Sequence, residues 1–320
     1  MTKGAEFMEI KQFNVISYPQ KKELYNFIRS RDMTYNKTYV EMTKIYESDT
    51  FNEGKTIFIV FHKGKIKGSV ALITKEISIS GEAYITDIYI AGESVSNEDA
   101  YKNGKLTDLN AEILFHFLIQ EVVDYSNICG ATSIKIGIRE SETHLISHIV
   151  KLEFDHIYDA VIMKYDVDKN SVLKCNKDIE LKSLSILNCQ EYMDIQNQAF
   201  KNSPNGATID ELEVRDYIVQ YANNEDMIGL CFAENKPCGI YELSTNENIG
   251  WIDILAVAPI CQNKGIGQVL IIKCIQRLWE KGVEGIKLLV ITSNEIAIKL
   301  YKENGFKEEK VFSYWFQKKM

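Results

Sequence analysis

The sequence predicts a mixed α/β fold that occurs twice along the chain. Two observations support this prediction: the same order of strand-like and helix-like segments appears in each half, and each half combines strand pairs with strand–helix–strand segments. A short turn joins antiparallel strands, whereas a crossover helix joins parallel strands. Each half is therefore expected to form a mixed sheet with helices on both faces.

The second half shows the pattern most clearly. Residues 266–281 are apolar at close to a 3.6-residue period, which predicts an amphipathic helix. Residues 286–292 are apolar throughout, as expected for a strand that is buried on both faces. The predicted elements are, in order, strand 179–184, helices 189–201 and 209–222, strands 227–234, 238–245 and 249–257, helix 266–281, strand 286–292, helix 294–304 and a β-rich stretch at 306–318.

The first half repeats this order, and repeats determine the architecture. Its predicted elements are strand 9–14, helices 19–31 and 36–46, a strand pair that meets at Gly64, strand 83–91, helix 106–125, strand 133–138 and a helical segment at 144–154. The polar segment between the halves reads as a linker. The predicted domains are therefore 1–165 and 178–320, joined by residues 166–177.

Composition limits the function classes. The 320 residues carry a net charge of −8 with no basic stripe, so we expect no nucleic-acid partner. No stretch is apolar enough for a membrane span, and no signal peptide is evident, so we expect no membrane partner. Seven cysteines without a C-x-x-C pair indicate reduced thiols in a cytoplasmic protein.

A glycine-containing turn after strand 249–257 indicates a phosphate cradle. The segment QNKGIGQVL places Gln262, Gly265 and Gly267 between this strand and a helix, where backbone N–H groups can surround an anion. The P-loop pattern is absent, and the dinucleotide pattern fails because Leu270 stands where a third glycine is required. The spacing that does fit is Q-x-x-G-x-G.

This spacing resembles the acyl-CoA-binding signature of the GNAT superfamily of N-acetyltransferases, [RQ]-x-x-G-x-[GA] after a strand that ends in V-x-P. A second GNAT signature follows, N-x-x-A-x-x-x-Y-x-x-x-G-F. Its positions are filled by Asn294, Ala297, Tyr301, Gly305 and Phe306. The resemblance covers residues 178–318 and implies a GNAT fold with acetyl-CoA as co-substrate.

In such folds, strands 249–257 and 286–292 part at their ends, and the pantetheine arm of CoA lies between them. The resemblance places the pyrophosphate on the amides of residues 262–267. The cofactor-binding residues that it implies are Leu255, Ala256, Val257, Gln262, Asn263, Lys264, Gly265, Ile266, Gly267, Gln268, Asn294 and Tyr301.

The first half is similar in element order but not in chemistry. When Phe154 is aligned with Phe306, Ile149 replaces Tyr301, Glu142 replaces Asn294 and Glu153 replaces Gly305. The segment 93–105, at the position of the glycine loop, carries carboxylates that would repel a pyrophosphate. We interpret this half as a degenerate GNAT unit with a structural or substrate-shaping role.

Acetyl transfer requires an oxyanion donor, a proton donor for the thiolate and a neutral amine. The backbone N–H of Val257 suits the first role, as in the family. Tyr301 suits the second, because its reference pKa of about 10 lies above that of a thiol; alternatively, it only packs in the core. Asp253 and Glu242 are the candidate bases, and structural carboxylates or ordered water are the alternatives.

Three other features favour a structural explanation. His144 and His148 have a helical i, i+4 spacing but no further ligand context, so the sequence predicts no metal site. Cys261 is expected to be a packing thiol, because direct transfer needs no nucleophilic cysteine. The charged stretch 210–216 reads as a solvated helix face, with attraction of a cationic acceptor as the alternative.

The sequence therefore predicts a tandem GNAT N-acetyltransferase in which a primary amine attacks the thioester of acetyl-CoA directly. The alternative is a non-catalytic acyl-CoA-binding regulatory module. The acceptor is expected to be a small-molecule or peptide amine. The protein is expected to be a monomer with pseudo-dimeric halves or a homodimer.

Overall fold

The structure is a computed structural model that describes most of the chain. The described residues are 8–91, 111–166, 178–201, 203–204 and 208–320. The predicted linker, apart from Asp166, and the carboxylate-rich segment 93–105 lie outside these ranges.

Backbone contacts divide the chain into two compact units. The first comprises residues up to Ile157 together with Tyr314–Met320, and the second comprises Tyr158–Ser313. The first unit therefore ends before residue 165, where the sequence predicted the end of the first domain. The reason is that residues 160–164 pair with a strand of the second unit. The assignment of residues 1–165 and 178–320 as evolutionary domains stays a prediction.

The first unit has a mixed sheet that contains antiparallel and parallel strand pairs. Its strands are β1 (Glu9–Gln12), β2 (Ile57–His62), β3 (Lys65–Ile73), β4 (Glu82–Ile90) and β5 (Ser133–Arg139), in that spatial order. Only β4 and β5 are parallel among these neighbours. Its helices are α1 (Tyr18–Arg31), α2 (Tyr39–Tyr46), α3 (Ile77–Ser80), α4 (Ala111–Ile128) and α5 (Ile146–Lys151).

The second unit repeats this arrangement, which confirms the predicted mixed sheet. Its elements are β6 (Asp155–Tyr165, entering at Tyr158), β7 (Glu180–Ser183), α6 (Cys189–Phe200), α7 (Glu211–Gln220), β8 (Ile228–Ala233), β9 (Lys236–Asn246), β10 (Ile249–Val257), α8 (Ile266–Glu280), β11 (Gly285–Ile291), α9 (Glu295–Glu303) and β12 (Phe306–Lys319, leaving at Ser313). From β6 the strand order is β6-β11-β10-β9-β8-β7. β10 and β11 are parallel, and β9 is antiparallel to β10.

Corresponding hairpins show the repeat at the level of the backbone. The β2–β3 turn uses Lys63 and Gly64 with φ values of 52° and 74°, and the β8–β9 turn uses Glu234 and Asn235 with 49° and 61°. Two consecutive left-handed residues are typical of the two-residue turn that matches strand twist. The sequence left residues 235–237 between the predicted strands 227–234 and 238–245, but the turn lies one residue earlier, because Lys236 and Pro237 already belong to β9.

Helices cover both faces of the second sheet, as predicted. α8 and α9 pack on one face through residues such as Leu270, Ile275 and Tyr301. α6 and α7 pack on the other face through Tyr192 and Val214. The sheet therefore separates two apolar layers.

The helical segment predicted at 144–154 is shorter in the structure. A 3-10 turn occupies Glu140–Leu145, and α5 ends at Lys151. Glu153 then takes a left-handed conformation with φ of 63°, which no α-helix accommodates, and β6 begins two residues later.

Within the described ranges, no helix is both long enough and apolar enough to cross a bilayer. The six cysteines in those ranges are all free thiols.

The C-terminal end of β12 is expected to stabilise the first unit. Phe316 is 3% exposed and belongs to that unit's core, whereas Phe312, on the same strand, is 43% exposed. Phe316→Ala should lower the free energy of unfolding by about 3–5 kcal/mol. Phe312→Ala should change it by only about 0.5 kcal/mol. Urea unfolding followed by circular dichroism measures both, and equal losses would contradict this role.

Candidate active site

The two parallel strands of the second unit part before they end. β10 pairs with β11 only over residues 249–252, opposite residues 285–288. β10 continues to Val257 and stays paired with β9, while β11 continues to Ile291 and stays paired with β6. The sheet is therefore open between residues 254–257 and 289–291, as the resemblance implied.

A β-bulge at Asp253 coincides with the parting. Ile252 pairs with Leu243 and Ile254 pairs with Glu242, so Asp253 has no partner residue on β9. An extra residue bends and twists its strand. The bulge therefore gives a physical reason why β10 leaves β11 at this point.

The open edge of β10 presents backbone N–H groups. The Ala258 N–H donates to the Cys238 carbonyl on β9 at 2.9 Å. Because successive residues of an antiparallel strand direct their N–H groups to opposite edges, those of Leu255 and Val257 face the opening and that of Ala256 faces β9. The Val257 amide therefore faces the opening, and its oxyanion role stays a prediction.

The glycine loop follows directly and ends in the N-terminus of α8. Gly265 is the N-cap residue with φ of 76°, and Asn263 is also left-handed at 59°. The Gln262 side chain donates to the Val257 carbonyl at 3.1 Å, and the Lys264 ammonium donates to the Ile260 carbonyl at 2.9 Å. These bonds hold the loop against the strand end.

This loop is suited to bind an anion. Residues 262–265 are exposed. The N–H groups of Ile266, Gly267 and Gln268 belong to the first helical turn, which has no intrahelical acceptors for them. A helix N-terminus with free amides favours phosphate groups.

Gly267 faces the space between the end of β10 and α9. A Cβ atom at this position would lie 3.4 Å from Leu300 Cδ2 and 3.6 Å from Val257 Cγ2, which is ordinary contact. A longer side chain would extend into the region between the strand end and the helix.

Asn294 begins α9, and its Oδ1 accepts a hydrogen bond from the Ala297 N–H at 3.1 Å. Gly305 ends the signature with φ of 93°, which favours glycine. In the first unit Glu153 has φ of 63° at the aligned position. The aligned backbones therefore have the same handedness, although the residue types differ.

Tyr301 lies on α9, is 8% exposed and packs in the core beside Phe306. Burial raises the pKa of Tyr301 to about 12. Among the described residues, no hydrogen bond is found for its hydroxyl group. The phenol therefore keeps its proton at neutral pH. In the first unit, Ile149 is aligned with Tyr301 and is fully buried.

Glu242 lies on the other face of the sheet, beside α7. Its Oε1 accepts a hydrogen bond from the Tyr221 hydroxyl at 2.8 Å. Burial raises the pKa of Glu242, the bond from Tyr221 opposes this effect, and the nearby Asp253 adds to it. A raised pKa suits a carboxylate that accepts a proton near neutral pH.

Asp253, the other candidate base, is at the bulge. Loss of hydration raises the pKa of Asp253, because groups around its carboxyl restrict the access of solvent, although the residue as a whole is exposed. A hydrogen bond with Ser244 partly opposes this shift. The charge of Asp253 contributes to the raised pKa of Glu242, so we describe these two carboxyl groups as an acidic pair.

The structure does not bring the predicted acid and the predicted bases together on one face. Tyr301 packs with α8 and α9, whereas Glu242 contacts the α6–α7 side through Tyr221. The sheet separates these layers except where β10 and β11 part. Any reaction that uses both groups must therefore take place at this opening.

Sequence reasoning missed a group of tyrosines around Glu242. Burial is the main cause that raises the pKa values of Tyr192, Tyr217 and Tyr221, and the Glu242 charge raises each of them further. The Tyr192 hydroxyl is buried without a hydrogen-bond partner. The i, i+4 spacing of Tyr217 and Tyr221 was the available signal.

The acidic stretch 210–216 serves α7 itself. Asp210 caps the helix by accepting from the Glu213 N–H at 2.9 Å, and Glu211 pairs with Arg215 at 2.7 Å.

A cavity of about 480 Å³ lies near the β9–β10 turn, lined by Tyr221, Ser244 and Asn248 among others. It is at the opposite end of β10 from the glycine loop and so does not form the phosphate site.

These features define a class: a mixed α/β protein with an anion cradle beside two parted parallel strands. Residues 190–306 match the model of the Acetyltransferase (GNAT) family. This part of the chain is similar to that family, which confirms the resemblance seen in its motifs.

One curated relative and two solved structures illustrate the similarity. A mycothiol acetyltransferase of Renibacterium salmoninarum is 36% identical over 61 residues, which is 19% of this chain and only 18% of that protein. A GCN5-related N-acetyltransferase from Sphaerobacter thermophilus has a TM-score of 0.62 at 14% identity, over 98% of this chain and 95% of that one. A tandem GNAT protein from the clavulanic acid biosynthesis pathway has a TM-score of 0.58 at 9% identity, over 98% of both chains. These two structures show the fold alone.

The hydrogen bond from Tyr221 should hold down the pKa of Glu242. Tyr221→Phe removes this donor to the carboxylate, so the pKa of Glu242 should rise further. Tyr217→Phe is the matched control. Tyr217 lies on α7, whose C-cap residue is Tyr221, and is near Glu242, but it makes no hydrogen bond with Glu242. Carboxyl carbon NMR titration, assigned with Glu242→Gln, measures the shift. An unchanged pKa in Tyr221→Phe would contradict this electrostatic role.

Proposed function

We propose that the chain is an N-acetyltransferase that transfers an acetyl group from acetyl-CoA to a primary amine by direct attack on the thioester. The observation that carries this proposal is the opening between β10 and β11, with the glycine loop at its edge. An anion cradle beside an open strand edge suits a ligand with a pyrophosphate at one end and a carbonyl group at the other.

The residues present fit CoA. The first-turn amides of α8 and the exposed loop 262–265 would hold the pyrophosphate, with the Lys264 ammonium adding positive charge. The absence of a side chain at Gly267 leaves the region beside Leu300 and Val257 clear. We assign the contacts predicted for residues 255–257, Asn294 and Tyr301 to the acyl-bearing end.

Acetyl-CoA, when bound, supplies an acyl group that is activated as a thioester. The N–H groups of Val257 and Leu255 face the opening and can donate hydrogen bonds to a carbonyl oxygen there. The Tyr301 hydroxyl retains its proton because burial raises its pKa to about 12, so it can donate a hydrogen bond to the departing sulfur. Glu242 or Asp253 accepts the proton of the amine, directly or through water.

The acceptor is proposed to approach from the α6–α7 face. The carboxyl groups of Glu242 and Asp253, together with the nearby tyrosine rings, favour a cationic amine. Polyamines, antibiotics, amino acids, peptide N-termini and protein lysines fit this description. An amine precursor of a small thiol is one further candidate, prompted by the short match to a mycothiol acetyltransferase.

We further propose that the protein acts in the cytoplasm, without nucleic-acid or membrane partners, as a monomer with two similar halves or as a homodimer. The net charge of −8 supports the expectation that nucleic acid is not bound.

A second candidate function is a non-catalytic acyl-CoA-binding module. The observation that favours it is the packing of Tyr301, whose ring lies 6.0 Å from that of Phe306 inside the core. A phenol held only for packing would leave acyl-CoA binding intact and contribute nothing to turnover. The two proposals therefore share the cradle and differ at Tyr301.

Gly267→Glu should abolish binding of acetyl-CoA, because it adds a side chain and a negative charge beside the cradle. At a ligand concentration about 100-fold above Kd, the wild-type chain should gain about 2.7 kcal/mol of stability. Differential scanning fluorimetry should therefore show a clear rise in Tm. The variant should show none.

Gly267→Ala is the matched control, since its Cβ makes only ordinary contacts, and it should retain a rise in Tm. Circular dichroism checks that both variants fold. A wild-type chain without a Tm shift at about 1 mM acetyl-CoA would overturn the cofactor proposal. A shift that survives in Gly267→Glu would show that the phosphates bind elsewhere.

Tyr301→Phe should lower kcat with little change in acetyl-CoA affinity. The loss is expected to be about 10²–10⁴-fold, which is typical of a general acid. The assay follows release of free CoA over a panel of primary amines, first with the wild-type chain to find the acceptor.

Two controls make this comparison decisive. Tyr165→Phe removes a different buried phenol from the same core, to which the proposal gives no role, and should leave kcat much closer to wild type. No turnover with any amine, despite acetyl-CoA binding, favours the non-catalytic module. An unchanged kcat in Tyr301→Phe would show that another group protonates the thiolate.

A further inference from the structure

Two helices of the first unit bring together two imidazoles and a carboxylate. Glu112 and His116 are one helical turn apart on α4, and His148 lies on α5. The His148 Nδ1 is 3.2 Å from the Glu112 Oε1. The centroids of the two imidazole rings are 5.6 Å apart. One potential ligand atom from each of the three residues lies within 4.8 Å of the others.

Two nitrogen atoms of this cluster lack hydrogen bonds. The His116 Nε2 and the His148 Nδ1 are buried from solvent, and neither makes a hydrogen bond; the His148 Nδ1 is close to the Glu112 Oε1 but not in hydrogen-bonding geometry. Leaving such a group unsatisfied costs free energy, so an unsatisfied buried nitrogen in a folded protein calls for an explanation. Two such nitrogens beside one carboxylate are explained together if an ion lies between them.

We propose that Glu112, His116 and His148 bind one divalent transition-metal ion of the zinc type. Two imidazole nitrogens and one carboxylate oxygen form a ligand set that zinc accepts, with a fourth position left for water. Ligand atoms around a tetrahedral zinc lie about 3.4 Å apart, given bonds of about 2.0–2.1 Å. The pair His148–Glu112 already has this separation at 3.2 Å, and the remaining ligand atoms need to move by about an ångström.

The site is accessible to an ion. The side chains of His148 and Glu112 are 21% and 27% exposed. Lys151 pairs with the Glu112 Oε1 at 3.0 Å, but its side chain is 60% exposed and can move to solvent when a metal binds. A bound ion would join α4 to α5 and so stabilise the first unit.

The proposal differs from the expectation drawn from sequence, which considered His144 with His148 and predicted no metal. His144 is exposed in the 3-10 turn before α5, whereas His148 faces His116. The proposed ligand set combines residues that are distant in sequence, so the i, i+4 spacing of His144 and His148 does not identify it. The only part of this ligand set that is visible as a local sequence pattern is the E-x-x-x-H spacing of Glu112 and His116 on α4.

The experiment uses the full chain, treated with a chelator and then freed of it, and titrates zinc chloride by isothermal calorimetry. One equivalent should bind and raise Tm. Loss of an outer-shell partner typically weakens metal binding by about 10–100-fold. His116→Ala and His148→Ala remove ligands outright, and each should weaken binding by at least about tenfold.

His144→Ala is the matched control, because it removes an exposed histidine three to four residues from the site, and its affinity should equal that of the wild type. Lys151→Ala removes the competitor for Glu112 and should not weaken binding. Cys129→Ser excludes zinc capture by an exposed thiol. Cobalt in place of zinc should give the visible absorption of a four-coordinate nitrogen–oxygen site.

If His116→Ala fails to fold, His116→Gln keeps a polar side chain without the imidazole and serves in its place. The absence of zinc binding to the wild-type chain would overturn the proposal. Binding that is unchanged in both histidine variants, or lost in Cys129→Ser, would also overturn it. None of these results bears on acetyl-CoA, so the outcome is separate from that of the proposed function.

Discussion

The second unit depends on one interruption of regular strand pairing. Asp253 adds an unpaired residue to β10, and β10 leaves β11 after Ile252. Parallel strands otherwise satisfy each other's backbone groups, so the parting leaves N–H groups such as that of Val257 without a strand partner on that edge. The same parting leaves the sheet unpaired between the ends of β10 and β11. In the proposed function, the glycine loop, the backbone donors and the two carboxyl groups act together because they surround this opening.

The opening also explains how groups on opposite faces can act in one reaction. Tyr301 is packed under α8 and α9, and Glu242 is held by Tyr221 on the α6–α7 side. Burial raises both pKa values, but the effects differ: it keeps the phenol protonated and makes the carboxylate a better proton acceptor. A proton donor and a proton acceptor on opposite sides of a sheet suit a transfer in which donor and acceptor substrates enter from opposite sides.

Local patterns in the sequence predicted most of the fold. The apolar period of α8, the continuous apolar run of β11 and the turn at Gly64 each depend on neighbouring residues, and the structure agrees with them. The tyrosines around Glu242 and the contact of His116 with His148 were not predictable in this way, because each depends on elements that are distant in sequence. The sequence also predicted that the helix containing α5 ends too late. Glu153 adopts a left-handed φ, which cannot be predicted from its residue type.

The first unit shows that the backbone device and its chemistry are separable. β4 pairs with β5 only as far as Ile85 and continues to Ile90, and its pairing with β3 also shifts register, between Ser69 and Ala71. A parted, bulged strand is therefore present in both units. Yet Ile149, which is aligned with Tyr301, has no hydroxyl group to donate. Glu153, which is aligned with Gly305, has the same left-handed backbone conformation but is not a glycine. Because the same parting occurs with and without these residues, the fold supplies the opening, and a reaction there also requires suitable residues around it.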